Sequence, residues 1–247
     1  MYQEELRQAL DPVVWAQQNF QFQPDELQTQ VLRSRTRRGI LNCCRQWGKS
    51  TVTALMALHR AWFQPQSLIL AASPSARQSA EWMRKVERFA RGLGVKVRGD
   101  GDNEISLALP NGSRLVGLPE NEGKVRGFSS VSLLLVDEAS RVGDDLYRAL
   151  RPMVIISRGA LWLMSTPAGA RRFFHETWTR GGSEWLRVLA PASACPRIAP
   201  ADLEEERVTQ GDRWFRQEYE CEFLEDDDAL FAREWLDQSL TREVRPL

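Results

Sequence analysis

The feature that most constrains how this chain folds is the junction between an apolar segment and a helical segment near residue 48. Residues 39–44 are mostly apolar and indicate a buried strand, whereas residues 49–62 have the spacing of a helix. The loop between them contains the triplet Gly48-Lys49-Ser50. A helix that begins directly after a strand presents free N–H groups and the positive end of its dipole, and both attract phosphate. The junction therefore predicts a phosphate-binding site.

Each residue type in this loop suits a different part of a bound triphosphate. Gly48 lets the backbone approach a phosphate closely, Lys49 would reach the β- and γ-phosphates, and Ser50 would hold Mg²⁺. Cys43 stands where the full phosphate-loop pattern has its first glycine, so the match is incomplete. Because a bare Gly-Lys-Ser triplet is weak evidence, its position between a strand and a helix is what favours phosphate binding.

The rest of the chain alternates between apolar segments and helical patterns, which is typical of an α/β fold with helical crossovers. Further strands are predicted at residues 67–72, 131–136 and 160–165, and a further helix at about residues 75–91. The segments 104–109 and 113–118 flank Pro110-Asn111-Gly112. This is a strong hairpin signal, because Asn-Gly accepts a positive φ at low cost.

The character of the sequence changes after about residue 180, where strands become sparse. Residues 200–224 look helical and are rich in acidic side chains. We therefore predict a core domain over residues 1–180 and a small lid or linker subdomain over residues 181–247.

An acidic pair, Asp137 and Glu138, ends the strand predicted at residues 131–136. Acids at the carboxyl end of a buried parallel strand point into the ligand crevice. Asp137 would bind Mg²⁺, through water or together with Ser50, and Glu138 would orient and polarise an attacking water. The alternative is that Asp137 merely caps the next helix. The phosphate loop upstream favours the catalytic interpretation.

The next predicted strand ends in two hydroxyl residues, Ser165 and Thr166, which are followed by Pro167. Small hydroxyls there can hydrogen-bond the γ-phosphate or a Mg²⁺-bound water, and so report whether the γ-phosphate is present. The alternative is a capped helix entry, because Ser or Thr before Pro is a normal helix start. Both interpretations can hold together.

Composition argues against several other classes of function. The chain has 33 basic and 33 acidic side chains, so its net charge does not indicate a nucleic-acid-binding protein. Its four cysteines and two histidines fit neither a zinc site nor a disulfide framework. No apolar run is long enough to cross a membrane and no signal-peptide pattern is present, so a cytoplasmic location is expected.

Taken together, these motifs resemble those of the terminase large subunits of tailed bacteriophages, over roughly residues 12–231. Each motif alone is weak, but the ordered set is specific. The matching segments are the variant phosphate loop at 45–50, the acidic strand end at 135–139, the coupling motif at 165–169, the adenine-recognising segment at 22–28 and the segment 215–223 that ends the family's ATPase half.

The resemblance implies a P-loop NTPase of the RecA-like (ASCE) type, with a mostly parallel central sheet flanked by helices and a small C-terminal helical lid. It implies ATP and Mg²⁺ as cofactors, and ATP hydrolysis that drives double-stranded DNA into a procapsid. The implied partners are the DNA, the portal ring, the small terminase subunit and further copies of this chain in a homo-oligomeric ring. Whether the isolated chain is a monomer is left open by the resemblance. Family members continue into an RNase H-like nuclease, whereas this sequence stops at Leu247, so no nuclease activity is expected.

The resemblance also implies nucleotide contacts beyond the Gly-Lys-Ser triplet. Gln28 is expected to read the adenine base. Trp47 is expected to pack near the nucleotide because it lies inside the phosphate loop. The full set expected to bind the nucleotide is Gln28, Gln46, Trp47, Gly48, Lys49, Ser50, Thr51, Ser165 and Thr166, with Ser50 and Asp137 as Mg²⁺ ligands and Lys49 and Glu138 as catalytic residues.

Two arginines are candidates for the positive charge that phosphoryl transfer needs near the γ-phosphate. By the resemblance, Arg126, just before the acidic strand, is favoured as a finger that reaches a neighbouring subunit's site. Arg45, inside the phosphate loop, is favoured as a phosphate-linked switch within its own subunit. The alternative for Arg126 is an ordinary arginine of a surface loop.

The helix predicted at about residues 75–91 carries a stripe of arginines opposite an apolar side. The stripe consists of Arg77, Arg84, Arg88 and Arg91, which share one face at a period of 3.6 residues. A motor that moves any DNA sequence should grip phosphates rather than bases, and the stripe fits that need. The alternative is a solvated helix face.

Two other functions stay open. A helicase-like DNA translocase shares the adenine segment, the phosphate loop and the Asp-Glu strand, but it needs a second RecA-like domain. A non-catalytic nucleotide-binding assembly module would not need the water-polarising acid at Glu138.

Overall fold

The computed structural model describes residues 2–118 and 127–225, and within these ranges seven strands form one sheet. The strands are β1 (Arg38–Cys43), β2 (Leu68–Ala72), β3 (Ser106–Ala108), β4 (Arg114–Leu118), β5 (Val131–Asp137), β6 (Ala160–Ser165) and β7 (Leu186–Ala190). Their order across the sheet is β3-β4-β2-β5-β6-β1-β7. Among the strand pairs of the described residues only β3–β4 is antiparallel, so the carboxyl ends of β1, β5 and β6 lie side by side at one edge of the sheet.

Helices cover both faces of this sheet. In the described ranges they are α1 (Tyr2–Leu10), α2 (Pro12–Phe20), α3 (Glu26–Arg33), α4 (Lys49–Phe63), α5 (Ala76–Gly92), α6 (Asp144–Leu150), α7 (Arg172–Arg180), α8 (Pro200–Gln210) and α9 (Asp212–Glu218). We call α8 and α9 the lid helices.

The central strands are buried on both sides, which explains their nearly continuous apolar sequences. In β1, Leu41 belongs to a core cluster that includes buried residues of α2 to α5, whereas its neighbour Ile40 belongs to a second cluster with residues of α6 and α7. Successive strand residues point to opposite faces, so one apolar strand supplies both cores.

The structure confirms the strands and helices predicted from the apolar segments. The four strands predicted at 39–44, 67–72, 131–136 and 160–165 correspond to β1, β2, β5 and β6, and each end differs by at most one residue. The helices α4 and α5 match equally closely. The predicted hairpin is the antiparallel β3–β4 pair, and Gly112 in its turn has a φ of 81°.

The boundary predicted at residue 180 is wrong for one strand. The strand β7 lies beyond that residue, yet it pairs in parallel with β1 and completes the core sheet. It was missed because it is an edge strand: Arg187 is only partly buried and Leu189 is exposed, so no continuous apolar run marks it. The lid helices follow, at the place where residues 200–224 predicted helix.

None of the helices in the described part of the chain is both long enough and apolar enough to span a lipid bilayer.

Candidate nucleotide site

The phosphate loop, residues 44–48, joins β1 to α4 and begins the helix at a glycine. Gly48 is the N-cap of α4 with a φ of 97°, a left-handed backbone conformation that favours glycine. A Cβ at this position would also lie only 3.2 Å from Nε2 of Gln28. Among the described residues, no side chain caps α4. The first N–H groups of the helix are therefore available to an anion.

A cleft of about 730 Å³ opens above this loop, a volume typical of small-molecule sites. The loop forms its floor, α5 contributes one wall and the lid helices contribute another. The lining residues are Cys44, Arg45, Gln46, Trp47, Gly48, Lys49, Ser50, Lys85, Glu206, Gln210, Trp214 and Tyr219.

The acidic pair meets the phosphate loop beside this cleft. Nζ of Lys49 lies 2.9 Å from Oε1 of Glu138, and Oγ of Ser50 donates to Oδ2 of Asp137 at 3.4 Å. The second contact connects residues 87 positions apart in sequence. The sheet order causes the meeting, because β6 alone separates β1 from β5 and all three strands end at the same edge.

Burial and charge shift the protonation equilibria of these three groups. Burial raises the pKa of Asp137 to about 6, against the opposing effect of Lys49. Burial also acts to raise the pKa of Glu138, but the Lys49 ammonium and Arg141 outweigh it and hold that pKa below its usual range. The two carboxylates in turn overcome burial and raise the pKa of Lys49. At neutral pH the site contains a charged lysine and a charged glutamate in direct contact.

The backbone of Glu138 is itself unusual. Its φ and ψ of 48° and 43° lie in the left-handed region, which is uncommon for a residue other than glycine. Such strain costs free energy and concentrates at functional sites. This conformation turns the chain from β5 into the short 3₁₀ turn Ala139–Arg141.

The coupling residues lie against the same glutamate. Oγ of Ser165 donates to Oε2 of Glu138 at 3.3 Å and lies 2.7 Å from Oγ of Ser140. The Thr166 carbonyl accepts from Ser140 at 2.8 Å, and its hydroxyl accepts from Nη1 of Arg141 at 2.9 Å. A movement of the Glu138 side chain would therefore be transmitted through these hydrogen bonds to the end of β6.

Gln28 hydrogen-bonds to the phosphate loop. It is not among the described residues that line the cleft. Its side chain forms a capping box with Asp25 at the start of α3, and its Nε2 donates to the Trp47 carbonyl at 2.8 Å. Arg197 donates to the same carbonyl at 2.7 Å and pairs with Asp25 at 3.1 Å. Both ends of the Gln28 amide are thus engaged, so this geometry does not place it as a base reader.

The other predicted nucleotide residues occupy different positions. Gln46 and Gly48 line the cleft, and Gln46 is exposed with a φ of 62°. The Trp47 side chain is fully buried in the core beneath the loop. Thr51 lies in the first turn of α4, outside the lining.

One of the two predicted arginines lies at the cleft. Arg45 lines the cleft with a side chain that is 59% exposed, and its Nε lies 3.5 Å from Oε2 of Glu218. Arg126 lies outside the described residues.

The predicted arginine stripe is exposed along α5, opposite the buried Trp82, Met83 and Val86. Two of its members are paired with glutamates on the same helix, Arg84 with Glu81 and Arg91 with Glu87. The stripe members Arg77 and Arg88 are also exposed.

Sequence reasoning missed several residues that the fold brings to the cleft or to the acidic pair and phosphate loop beside it. Lys85 lines it from α5, and burial lowers the pKa of this lysine. Arg141 contacts Glu138, Thr166 and Glu218. The remaining missed residues are Glu206, Gln210 and Trp214 of the cleft lining and Arg197, which donates to the Trp47 carbonyl. Side chains of these types on a helix or turn have the pattern of ordinary surface residues, so no local signal marks them. Glu218 and Tyr219 do lie in the segment 215–223 identified from the sequence, although their place at the site was not predicted.

Comparison with known proteins decides the family. The family model described as "Terminase large subunit, T4likevirus-type, N-terminal" matches residues 40–238, well over half of the chain. The chain belongs to this family. The large terminase subunit of Escherichia phage T5 is 25% identical over 196 residues, which cover 76% of this chain and 44% of that protein. That of Thermus virus P23-45 is 23% identical over 249 residues, covering 85% of this chain and 51% of the relative. This terminase chain therefore spans about half the length of the curated relatives it matches.

Solved structures show the same fold. The ATPase domain of the Thermus phage P74-26 large terminase superposes with a TM-score of 0.74 at 22% identity, and the match covers 87% of this chain and all of that domain. A large terminase from a thermophilic bacteriophage, solved in complex with ADP, gives a TM-score of 0.65 at 13% identity, covering 81% of this chain and 54% of the other.

Proposed function

We propose that this chain is the ATP-hydrolysing motor domain of a viral terminase large subunit and that it drives double-stranded DNA into procapsids. One observation carries the proposal: Lys49 of the phosphate loop and Glu138 of the acidic strand end are in contact, 2.9 Å apart, at the side of a cleft large enough for a nucleotide. A phosphate-binding lysine and a water-polarising acid that meet in this way are the parts that ATP hydrolysis requires.

The phosphates belong at the start of α4. Its free N–H groups would receive the β-phosphate, and Lys49 would exchange its contact with Glu138 for one with the β- and γ-phosphates. That exchange releases Oε1 of Glu138. In the absence of nucleotide, Lys49 would thus remain ion-paired with Glu138.

The residues present also fit a magnesium ion. Ser50 and Asp137 offer a hydroxyl and a carboxylate oxygen 3.4 Å apart, and such oxygen ligands are the ones that Mg²⁺ prefers. The bound ion would neutralise charge between the β- and γ-phosphates. Asp137 must be ionised to hold it.

Glu138 would act on the attacking water. After Lys49 moves to the phosphates, Arg141 and Ser165 still hydrogen-bond Oε2 of Glu138, and the role of this side chain would be to orient and polarise the water as a carboxylate. Ser165 and Thr166, through their contacts with Glu138 and Arg141, would report the state of the γ-phosphate to β6 and α7. Trp214 and Tyr219 of the lid region offer aromatic faces for the base.

Assembly and partners follow from the family relationship. We place the chain in a homo-oligomeric ring docked on the portal of a procapsid in the host cytoplasm, with the small terminase subunit and double-stranded DNA as further partners. In such a ring Arg126 would complete a neighbour's site, while Arg45 would switch between Glu218 and phosphate within its own. Mixing Arg126→Ala subunits with Glu138→Ala subunits tests the first role: restored ATP turnover supports it, and turnover no higher than that of either variant contradicts it.

ATP turnover tests the proposed function itself. Phosphate release from Mg·ATP should be measurable for the wild-type chain at high protein concentration and should fall by about 10²–10⁴-fold in Glu138→Gln. The variant Glu104→Gln is the matched control, because Glu104 is an exposed glutamate away from the cleft lining. Nucleotide binding without turnover in the wild type would instead favour a non-catalytic assembly module, and separation of a DNA duplex into single strands would favour a helicase.

A further inference from the structure

Arg141 joins three parts of the molecule that the proposed mechanism treats separately. It ends the 3₁₀ turn that follows Glu138. Its Nη1 donates to Oε2 of Glu138 and to Oγ1 of Thr166, both at 2.9 Å. Its Nη2 donates to Oε1 of Glu218 in the lid helix α9, also at 2.9 Å. One guanidinium thus connects the acidic strand end, the coupling residues and the lid.

The two oxygens of Glu138 have different partners. Oε1 pairs with Lys49, whereas Oε2 accepts from Arg141 and from Ser165. If Lys49 transfers to a nucleotide, Oε1 becomes free while Oε2 keeps its anchors. A carboxylate held through one oxygen presents the other in a fixed direction, which is what positioning a water requires.

We propose that Arg141 is a positioning residue that keeps Glu138 aimed at the attacking water, and that Glu218 of the lid holds Arg141 in place. The inference rests on the proposed function, because it needs Lys49 to leave Glu138 for the phosphates.

The surroundings of Glu218 explain how the lid takes part. Its side chain is only 5% exposed, and its oxygens pair with Arg141 and Arg45. A buried carboxylate is stable only while such partners remain. Its backbone carbonyl also accepts from the Arg45 N–H at 3.0 Å, which docks α9 on the phosphate loop. The docked lid thus fixes Arg141, which is one of the two anchors on Oε2 of Glu138.

The first test separates positioning from binding. In Arg141→Ala the value of kcat should fall about 10–100-fold, as expected when a charge-assisted hydrogen bond is lost, while KM for Mg·ATP stays near the wild-type value. Arg148→Ala is the control: Arg148 is another arginine in an i,i+3 pair with an acid, but it is 75% exposed on α6, and its removal should leave both constants unchanged.

The second test addresses the lid. Glu218→Gln should lower kcat in the same way, and Arg141→Ala combined with Glu218→Gln should be no slower than the slower single variant, because both changes break one chain of contacts. Arg141→Lys, which can reach one carboxylate but cannot bridge two, should fall between wild type and Arg141→Ala. Losses in kcat that multiply in the double variant would overturn the role of Glu218.

The outcomes distinguish this inference from the function on which it rests. A wild-type chain without ATP turnover contradicts the function. A wild type that turns over ATP, alongside an Arg141→Ala variant with unchanged kcat or with only a raised KM, overturns the positioning role and leaves the function intact. Thermal melting identifies any variant that does not fold; in that event Arg141→Lys decides, and wild-type kcat in Arg141→Lys overturns the inference.

Discussion

The two ends of the helix α4 have contrasting surroundings, one charged and the other aromatic. At its N-terminus Lys49, Asp137 and Glu138 place three ionisable groups close together, and Glu138 adopts a left-handed backbone. At its C-terminus His59 and Phe63 pack against the almost fully buried Trp15 of α2, with ring centroids 5.3 and 6.3 Å apart. One end concentrates charge and the other concentrates apolar surface.

The difference shows where this domain obtains its stability and where it gives stability up. Burying charges and holding a strained backbone both cost free energy, and active sites tolerate these costs because chemistry needs them. Buried aromatic rings stabilise through area removed from water and through edge-to-face contacts such as that between Trp15 and Phe20. Changes at the two ends of α4 should therefore have separable effects.

The largest expected effect on stability is at the aromatic end. Trp15→Ala should lower the free energy of unfolding by about 3–5 kcal/mol, because it leaves a large cavity between α2 and α4. Denaturant unfolding measures the change, and Trp15→Phe, which keeps part of the ring, should lose less. Turnover per folded molecule should be unchanged; a selective loss of turnover in Trp15→Ala would show that the two ends are not separable.

The corresponding change at the charged end is Lys49→Ala. Affinity for Mg·ATP should fall about 10–100-fold, since a charge-assisted contact with phosphate is lost. Titration calorimetry measures it, with the exposed Lys96→Ala as the control. An unaltered affinity would remove Lys49 from the phosphate site.

A smaller effect is expected on the surface of α5, which lies outside both regions. Reversing two charges of the stripe, with Arg84→Glu and Arg88→Glu together, should weaken binding of double-stranded DNA. The slope of the logarithm of the binding constant against the logarithm of the salt concentration should become shallower by about two. Basal ATP turnover should persist. The pair Arg148→Glu and Arg151→Glu reverses two exposed arginines elsewhere and serves as the control. Equal DNA affinity in both double variants would exclude the stripe.

The smallest effect concerns pH and again belongs to the aromatic end. Burial lowers the pKa of His59, whose Nε2 lies 2.9 Å from the Gln8 carbonyl. The unfolded chain takes up a proton near the ordinary histidine pKa of about 6.5, whereas the folded chain does so only at lower pH. The contribution of His59 to stability should therefore fall as pH drops below about 6.5. Melting temperatures at about pH 7 and about pH 5 should be compared in the wild type and in His59→Gln, because the contribution of Asp137, which has the opposite sign, is common to both proteins. The wild type should lose more stability than His59→Gln at the lower pH, and the same change in both proteins would contradict the prediction.

The parts of the fold that could be predicted are those in which local sequence and burial agree. The strands β1, β2, β5 and β6 are buried on both faces, so each is a continuous apolar run. The edge strand β7 has only one face to bury, and Arg187 and Leu189 interrupt its pattern. Its place in the sheet depends on pairing with β1, which no short segment encodes.

The residues of the nucleotide site likewise divide into those with a local sequence signal and those that the tertiary fold brings together. Gly48, Lys49 and the pair Asp137–Glu138 have local signatures, because phosphate loops and acidic strand ends require particular residues at particular positions. Arg141 and Glu218 lie 77 residues apart and meet only when the lid helices dock. The engagement of Gln28 with the Trp47 carbonyl likewise depends on how α3 packs on the phosphate loop. Contacts of this kind follow from the tertiary fold and leave no trace in sequence spacing.

The most direct test of the proposed motor site is an experimental structure of the chain with Mg²⁺ and a non-hydrolysable ATP analogue. The predicted result is a triphosphate at the start of α4, with Nζ of Lys49 moved from Glu138 to the γ-phosphate, Ser50 and Asp137 beside the metal, and Oε2 of Glu138 still bonded to Arg141. A nucleotide bound elsewhere, or a Lys49 that remains paired with Glu138 while the cleft is filled, would contradict the mechanism.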